Sequence, residues 1–561
     1  MTNNKQETIQ LHQQHHTSSP SDTSEDISST HESEKNYPTG SKLILIVTSI
    51  ILSMFLVALD RTIIATAVPQ IAKQFNALAD IPWYASAYLL TSCATQLTWG
   101  KIYTFYSTKT VFLLAILIFE VGSALCGGAP SSTVFIVGRA IAGIGSAGIF
   151  SGSSIVIAQI VPLAKRPIYV GLMGSTFGVS SIVGPLMGGA FTDKVTWRWC
   201  FYINLPIGGF TMLVLFLFLA VPCEPRSYGW KEQLLRLDPL GSILFLPSVV
   251  CFLLALQWGG TMYAWNNGRI IALFVLSGVL AISFVGVQVQ LQETATVPPR
   301  IIKQRSILSG VIFAACVGGA LISMLYTLPL WFQAVRGVSA INSGIDTIPM
   351  VLSLVVGAIL SGAIISATGY YVPWMFVATI LMSTGAGLMT NFQLDTNHAS
   401  WIGYQVLFGL GIGLGMQQSS LAAQTVLQDQ EKDVPVGISL MFFAQSLGGS
   451  IFIAVAQSLF QSYLGAAMPL IHGVDTARIL AAGATQLSEV VPAKKLHDVL
   501  LVYNEALRHA FVVTVAVSCL MILPCVTMEW KTIKKDKKID PAAAADAAAD
   551  AAADAAADAA A

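Results

Sequence analysis

Charge is what this 561-residue sequence has least of: Asp, Glu, Lys and Arg make up only 11% of it, against about 25% in an ordinary soluble domain. The thirty basic and thirty acidic residues cancel, so no net positive field points to nucleic acid. No GxxxxGK[ST] loop occurs, which excludes a phosphate cradle of the P-loop kind. Cysteine is scarce too, with eight residues and none at metal-ligand spacing. Cys93, Cys251, Cys316, Cys519 and Cys525 fall in apolar stretches and read as buried hydrophobes. Cys126 and Cys200 fall near one face, which leaves a disulfide between them open. No Asn-x-Ser/Thr acceptor and no signal-peptide pattern is present, so the first apolar helix is expected to target the chain. The loops hold no nucleophile–base or metal constellation, so an enzyme is the least expected reading and no cofactor or metal is implied.

Long apolar runs are abundant instead. Hydrophobic residues make up 54% of the chain and its mean hydropathy is +0.68. About 20 apolar residues cross a hydrocarbon core, and fourteen such segments are predicted. They lie at 43–67, 82–99, 111–127, 134–158, 171–190, 201–221, 238–258, 269–290, 307–330, 346–366, 372–391, 401–422, 436–460 and 510–529. The weakest is 82–99, interrupted by Ser86, Thr91, Ser92, Thr95, Gln96 and Thr98, so one of its faces is expected to line a cavity. With the N-terminus inside, nineteen Lys/Arg fall in the cytoplasm and nine outside. That bias fixes the orientation and places both termini inside. Residues 1–40 read as a disordered tail, and the Ala/Asp run after Pro541 as a low-complexity one. Between the last two spans, Ala477–Leu487 and Ala493–Leu507 read as helices lying on the outer surface.

Two ionisable residues interrupt this apolar background at membrane depth, Asp60 and Arg139. Each costs about 2.5–3.5 kcal/mol even on lenient insertion scales, so they are expected to pair, to face water or to carry protons. Burial pushes a carboxylate toward neutrality and a nearby guanidinium pulls it back, so movement between helices can toggle it. A static ion pair joining two helices is the plain alternative. Glu120, mid-span in the third segment, is a second candidate for protonation. Arg61 points about 100° round the helix from Asp60, toward a different neighbour, and has no assigned role. Gln96, Gln333, Gln417, Gln418 and Gln445, with Tyr326, are candidates for contacts to a substrate from within the spans.

Glycine patterns carry further information. Gly143-Ile-Gly145-Ser-Ala-Gly148 fits GxGxxG, but no strand precedes it and it lies within an apolar run. It reads as a close helix contact, not a nucleotide loop. Gly171, Gly174 and Gly178, followed by Gly184-Pro185-Leu-Met-Gly188-Gly189, cost about 1 kcal/mol each in a helix, which tight packing must offset. At an offset of 266 residues Gly143, Gly145, Ser153, Ser154 and Gly171 match Gly409, Gly411, Ser419, Ser420 and Gly437, while Arg139 matches Gln405. Two similar halves follow, with 238–290 inserted between them.

Taken together, Leu59-Asp60-Arg61-Thr62-Ile63-Ile64 through Pro69, Arg139 with its glycines, and the Gly184–Gly189 run resemble signature motifs of the major facilitator superfamily. More narrowly the chain resembles the fourteen-spanner drug:proton antiporters of the fungal toxin and multidrug efflux type. Trp197-Arg198-Trp199-Cys-Phe201-Tyr-Ile203-Asn204-Leu-Pro206-Ile-Gly208 and Leu328-Pro329-Leu-Trp-Phe332-Gln333 resemble two further stretches of that group, and the likeness spans roughly 43–530. It implies proton coupling through Asp60 and Arg139, and an antiporter motif at Gly178, Gly184, Pro185, Gly188 and Gly189. The gating loop after span two departs from the family pattern. Gly100 and Lys109 remain, but Thr104, Ser107 and Thr108 replace the acidic, glycine and first basic positions.

The fold class expected is therefore an all-α membrane protein with the major facilitator fold. Its parts are the tail 1–40, a six-helix bundle 43–221, two extra helices 238–290, a second bundle 307–530 and the tail 531–561. The function implied is proton-coupled efflux of small organic molecules by alternating access. Partners are the small-molecule substrate, protons and the lipid bilayer, with no nucleic acid, and a monomer is expected. The plasma membrane is the expected location, with the vacuolar membrane as alternative. Rival readings are a siderophore or vacuolar basic amino-acid transporter of the same superfamily, and a non-transporting membrane sensor.

Overall fold

Apolar segments with no water to bond their backbones must form helices, and those among the described residues do so. The computed structural model describes residues 37–221, 232–233, 236–260, 262–471, 487 and 491–534. The readings made for the first 36 residues, for most of Ala477–Leu487 and for the Ala/Asp tail lie outside them. Among the described residues thirteen helices are long and apolar enough to cross a membrane. They are α1 (Gly40–Phe75), α3 (Thr108–Gly128), α4 (Ser132–Ile160), α5 (Arg166–Lys194), α6 (Trp199–Phe218), α7 (Pro239–Trp258), α8 (Gly268–Leu291), α9 (Arg305–Ala334), α10 (Ile348–Thr368), α11 (Val372–Met389), α12 (His398–Val426), α13 (Val434–Ala467) and α14 (Ala493–Leu520). The fourteenth expected span is α2 (Ile81–Phe105), whose 25 residues reach about 37 Å although its polar content lowers its hydropathy.

Local signals set the ends. Ser131, Asn267 and Asn397 cap α4, α8 and α12 through their side-chain oxygens, satisfying amide groups that the first turn leaves free. Prolines open α5, α7, α10, α11 and α13, where a missing N–H costs nothing. Asn76 ends α1 in the left-handed region at φ 50°.

α1–α6 pack as one bundle and α9–α14 as another, while α7 and α8 pair with each other beside α2 and α13. The internal repeat is visible in packing. Gly143 on α4 presses on the Tyr88 carbonyl of α2, and Gly409 on α12 presses on the Met350 carbonyl of α10. Arg139 Nε donates to the Tyr84 carbonyl at 2.9 Å, and its counterpart Gln405 Nε2 donates to the Asp346 carbonyl at 3.0 Å.

One expectation is corrected. The segment Ala493–Leu507 is not a separate surface helix but the first half of α14. Val499, Tyr503, Ala506, Leu507 and Ala510 are buried at helical spacing, so the apolar stripe runs unbroken into the bundle. Part of the polar face of α2 bonds to neighbouring helices. Thr91 donates to the Ala140 carbonyl at 2.8 Å, Gln96 to Ser151 at 2.5 Å, Ser92 receives Arg61 at 3.2 Å, and Ser86 receives Gln257. Thr95 instead donates to the Thr91 carbonyl of its own helix at 2.8 Å, and Thr91, Thr95 and Thr98 remain half-buried. Cys126 and Cys200 are both buried free thiols, not a disulfide.

Candidate functional site

The end of the bundle where α1 begins is called here the near end, and the opposite one the far end. Halfway between them Asp60 of α1 meets Arg139 of α4. Arg139 Nη1 donates to Asp60 Oδ2 at 2.5 Å, with the two side chains 1% and 0% exposed. Arg139 is further held by the Tyr84 carbonyl and lies 4.5 Å from the Tyr88 ring centroid. Asp60 Oδ1, by contrast, is buried with no hydrogen-bond partner. A buried carboxylate oxygen without a donor is costly, so the pair is held from the arginine side and left incomplete on the acid side.

Glu120 on α3 is also buried, and both its oxygens lack a partner. It abuts Gly208 of α6, where a side chain would collide with it. Among the described residues it makes no ion pair with Arg139.

The glycine run on α5 divides between two neighbours. Toward the near end, a Cβ on Gly171 would sit 2.5 Å from the Ala358 carbonyl of α10, and Gly178 faces Val355 and Val351 of the same helix. Toward the far end, Gly184 presses on Thr62 and Gly188 on Thr66 and Ile63 of α1. Thr62 also donates to the Ser180 carbonyl at 2.9 Å, and Pro185 follows one turn later as an interior proline. One helix thus grips the second bundle with its near half and α1, the helix of Asp60, with its far half. Gly189 departs from the expectation. It has open space where a Cβ would go, because it lies one residue, about 100°, round the helix from Gly188.

The two bundles meet tightly at the near end. Gly100 lies against α13, where a Cβ would come within 2.6 Å of Ser439. Ser439 donates to, or accepts from, Ser151 at 2.9 Å, and Ser366 donates to the Ala164 carbonyl at 2.7 Å. Residues 145–157 of α4, 411–425 of α12 and 434–442 of α13 are buried without interruption. Toward the far end, Ala65, Pro69 and Gln70 of α1, Tyr326 of α9 and Gly403 of α12 are exposed.

A strap of residues between α8 and α9 reinforces this closure, and sequence reading missed it. Arg300 grips Asp433, the residue just before α13, with two bonds, at 2.5 and 3.0 Å, and Glu293 at 2.9 Å. Lys101 of α2 donates to the Ala295 carbonyl. The buried Asp238 carboxylate receives Gly241, Gln288 and Thr296. Its charged members lie between Lys101 and Asp433, more than three hundred positions apart in sequence, so no spacing rule reveals them. Lys109 takes no part: it donates to the Phe216 carbonyl at 2.6 Å, beside α6. Breaking the bidentate pair with Asp433→Asn should weaken near-end closure by about 1–2 kcal/mol, roughly 5- to 30-fold. The check is maleimide labelling of a Ser439→Cys reporter, faster in the Asp433→Asn background; equal rates would deny the strap a role in closure.

The glutamines separate into different roles. Gln96 is bound within the first bundle and Gln333 donates to Ser343 at 2.9 Å at the far rim. Gln418 donates to Ser361 and to the Leu414 carbonyl, yet Gln417 Oε1, Gln418 Oε1, Ser419, Ser420 and Gln424 keep buried polar atoms without partners. They cluster where α12 is interrupted at Met416 and Gln417, and Gln417 packs against Gly174 of α5. Gln445 is half-buried on α13.

The Major Facilitator Superfamily model matches residues 50–453. The rubrofusarin-specific efflux pump aurT of Gibberella zeae is 56% identical over 503 residues, covering 89% of this chain and 92% of that one. The efflux pump aflT of Aspergillus parasiticus is 50% identical over 503 residues, covering 89% and 98%. Among solved structures, the human organic anion transporter MFSD10 shares the fold with a TM-score of 0.56 at 15% identity, over 88% of this chain and 100% of that one. The proton:xylose symporter XylE does so with a TM-score of 0.53 at 14%, over 86% and 96%.

Proposed function

The chain belongs to the major facilitator superfamily, and we propose that it is a proton-coupled efflux pump working at the plasma membrane as a monomer, with both termini in the cytoplasm. It is a multi-pass membrane protein whose cargo is a small organic molecule. The reading rests above all on the buried Asp60–Arg139 pair, whose acid carries one oxygen without a donor. Supporting it are relatives spanning about nine-tenths of the chain that are named as efflux pumps.

In this orientation the near end is cytoplasmic, and the packing around Gly100, Gly171 and Ser439 describes a state shut toward the cytoplasm. Asp60 takes a proton from outside in that state. Loss of its charge weakens the hold on Arg139 and releases α1 and α4 to move against α5. The bundles rock, the near-end contacts between α5 and α10 and between α2 and α13 part, and the proton leaves as cargo enters. Inward proton movement supplies about 2.3 kcal/mol per 100 mV and about 1.4 kcal/mol per pH unit. At 100 mV and one pH unit that supports a gradient of roughly 500-fold in a neutral cargo. Glu120 is a second proton-binding group, and Gln417, Gln418 and Gln445 contact cargo on the second bundle's side.

The test compares small molecules retained by cells lacking this protein with those retained by cells overproducing it. One or more organic molecules should accumulate in the first and be depleted in the second. Identical profiles would contradict export.

A further inference from the structure

Arg61, like Glu120, is an ionisable residue in the membrane interior that the Asp60–Arg139 pair leaves over. Asp60 is occupied by Arg139, and no carboxylate among the described residues lies within ion-pair distance of Arg61. Its Nη2 donates to Ser92 at 3.2 Å, a neutral hydroxyl, and its Nε is buried with no acceptor. Nη1 bonds to no group among the described residues and is not sealed from the surface, and the residue as a whole is only half-buried. An uncompensated guanidinium at this depth is expensive, and hydroxyl contact alone does not offset it.

Aromatic surface surrounds the charge. The guanidinium carbon lies 4.9 Å from the Phe150 ring centroid and 5.4 Å from that of Tyr88. Phe150 stacks on Phe177 of α5 at 5.4 Å and 20°, and meets Phe442 of α13 at 5.9 Å. The charge therefore sits at the edge of an aromatic cluster contributed by both bundles, where α4, α5 and α13 converge. A planar ring sliding onto that cluster gains stacking, and a negatively charged oxygen on its edge gains the free donor.

Resting on the efflux reading above, we propose that Arg61 with Phe150 and Phe177 forms a recognition site for planar aromatic anions, molecules carrying a phenolate or carboxylate on a fused or single ring. Such a cargo leaves an inside-negative cell with the membrane potential, so its charge adds to the driving force. Anion and proton attract each other, so their exchange proceeds through the rocking of the bundles, not through direct competition at Asp60.

The test uses the full chain in lipid nanodiscs at pH 7.5 with no gradient, titrated calorimetrically with 2-naphthoate and with its neutral isostere 2-naphthamide. The native protein should bind naphthoate at least tenfold more tightly than the amide. Arg61→Gln should bring the two within twofold while leaving amide affinity unchanged, which also reports that the variant is folded. Arg61→Lys should keep a preference of threefold or more, and Phe150→Leu should weaken both probes alike. Equal binding of the two probes by the native protein, binding of neither, or an intact preference in Arg61→Gln overturns the proposal. Because no gradient is present, such a result leaves proton-coupled efflux standing, and a failure of coupling leaves the preference measurable.

Discussion

Asp60→Asn is expected to reduce pH-driven transport to the level of vesicles lacking the protein, while the variant still reaches the membrane. Asn keeps the shape and one acceptor for Arg139 but cannot gain or lose a proton. The substitution also leaves a buried guanidinium without its counter-charge, and breaking one partner of a buried pair costs about 3–5 kcal/mol. Stability alone therefore confounds the single variant, and the double variant Asp60→Asn/Arg139→Gln removes that difficulty. With both charges gone the interior is neutral, and removing a whole buried pair is often nearly neutral in stability. If the pair merely fastens α1 to α4, the double variant should fold as well as the native chain and pump with proton coupling intact. If Asp60 carries the proton, the double variant folds and remains uncoupled. Melting curves alongside flux in the same preparation separate the two.

The second large effect comes from adjacent glycines. Gly188→Leu is expected to abolish efflux, whereas Gly189→Leu should leave it near the native rate. A Cβ on Gly188 would lie 2.9 Å from the Ile63 carbonyl, a backbone atom that cannot swing aside, and would also collide with Thr66. Overpacking of this kind costs about 1–3 kcal/mol or more, and here it forces α5 away from α1 just beyond the helical turn that carries Asp60. Gly189 has no heavy atom within 4 Å of the same position, so a leucine there meets only open surface. Normal pumping by Gly188→Leu, or loss of it in Gly189→Leu, would show that the α1–α5 contact is not what limits cycling.

These two cases also show what a sequence discloses. Asp60 and Arg139 were legible because a charge inside an apolar run has few ways to survive, and pairing was the simplest of them. That Asp60 keeps one oxygen without a donor is geometry, which no spacing expresses. The glycine run on α5 announced a close contact through its cost in helix propensity, but propensity does not distinguish Gly188 from Gly189; only the 100° step between them does. α14 was misread because Lys494, Lys495, His497 and Asp498 make its first turns look soluble, while the buried stripe through Val499, Tyr503 and Ala506 is set by tertiary packing. The strap was invisible for a related reason. Arg300 and Asp433 are 133 positions apart, and each alone reads as an ordinary loop charge.

The account stands or falls on proton exchange. The full chain is reconstituted in vesicles loaded with the cargo found by the cellular comparison, and an acid pulse is imposed on the side of the vesicle that corresponds to the cell exterior. Cargo should then move toward that side, faster with each added unit of pH difference, with protons travelling the other way and a protonophore abolishing both. Cargo movement of the same speed with and without the pulse, and no accompanying proton flux, would contradict it.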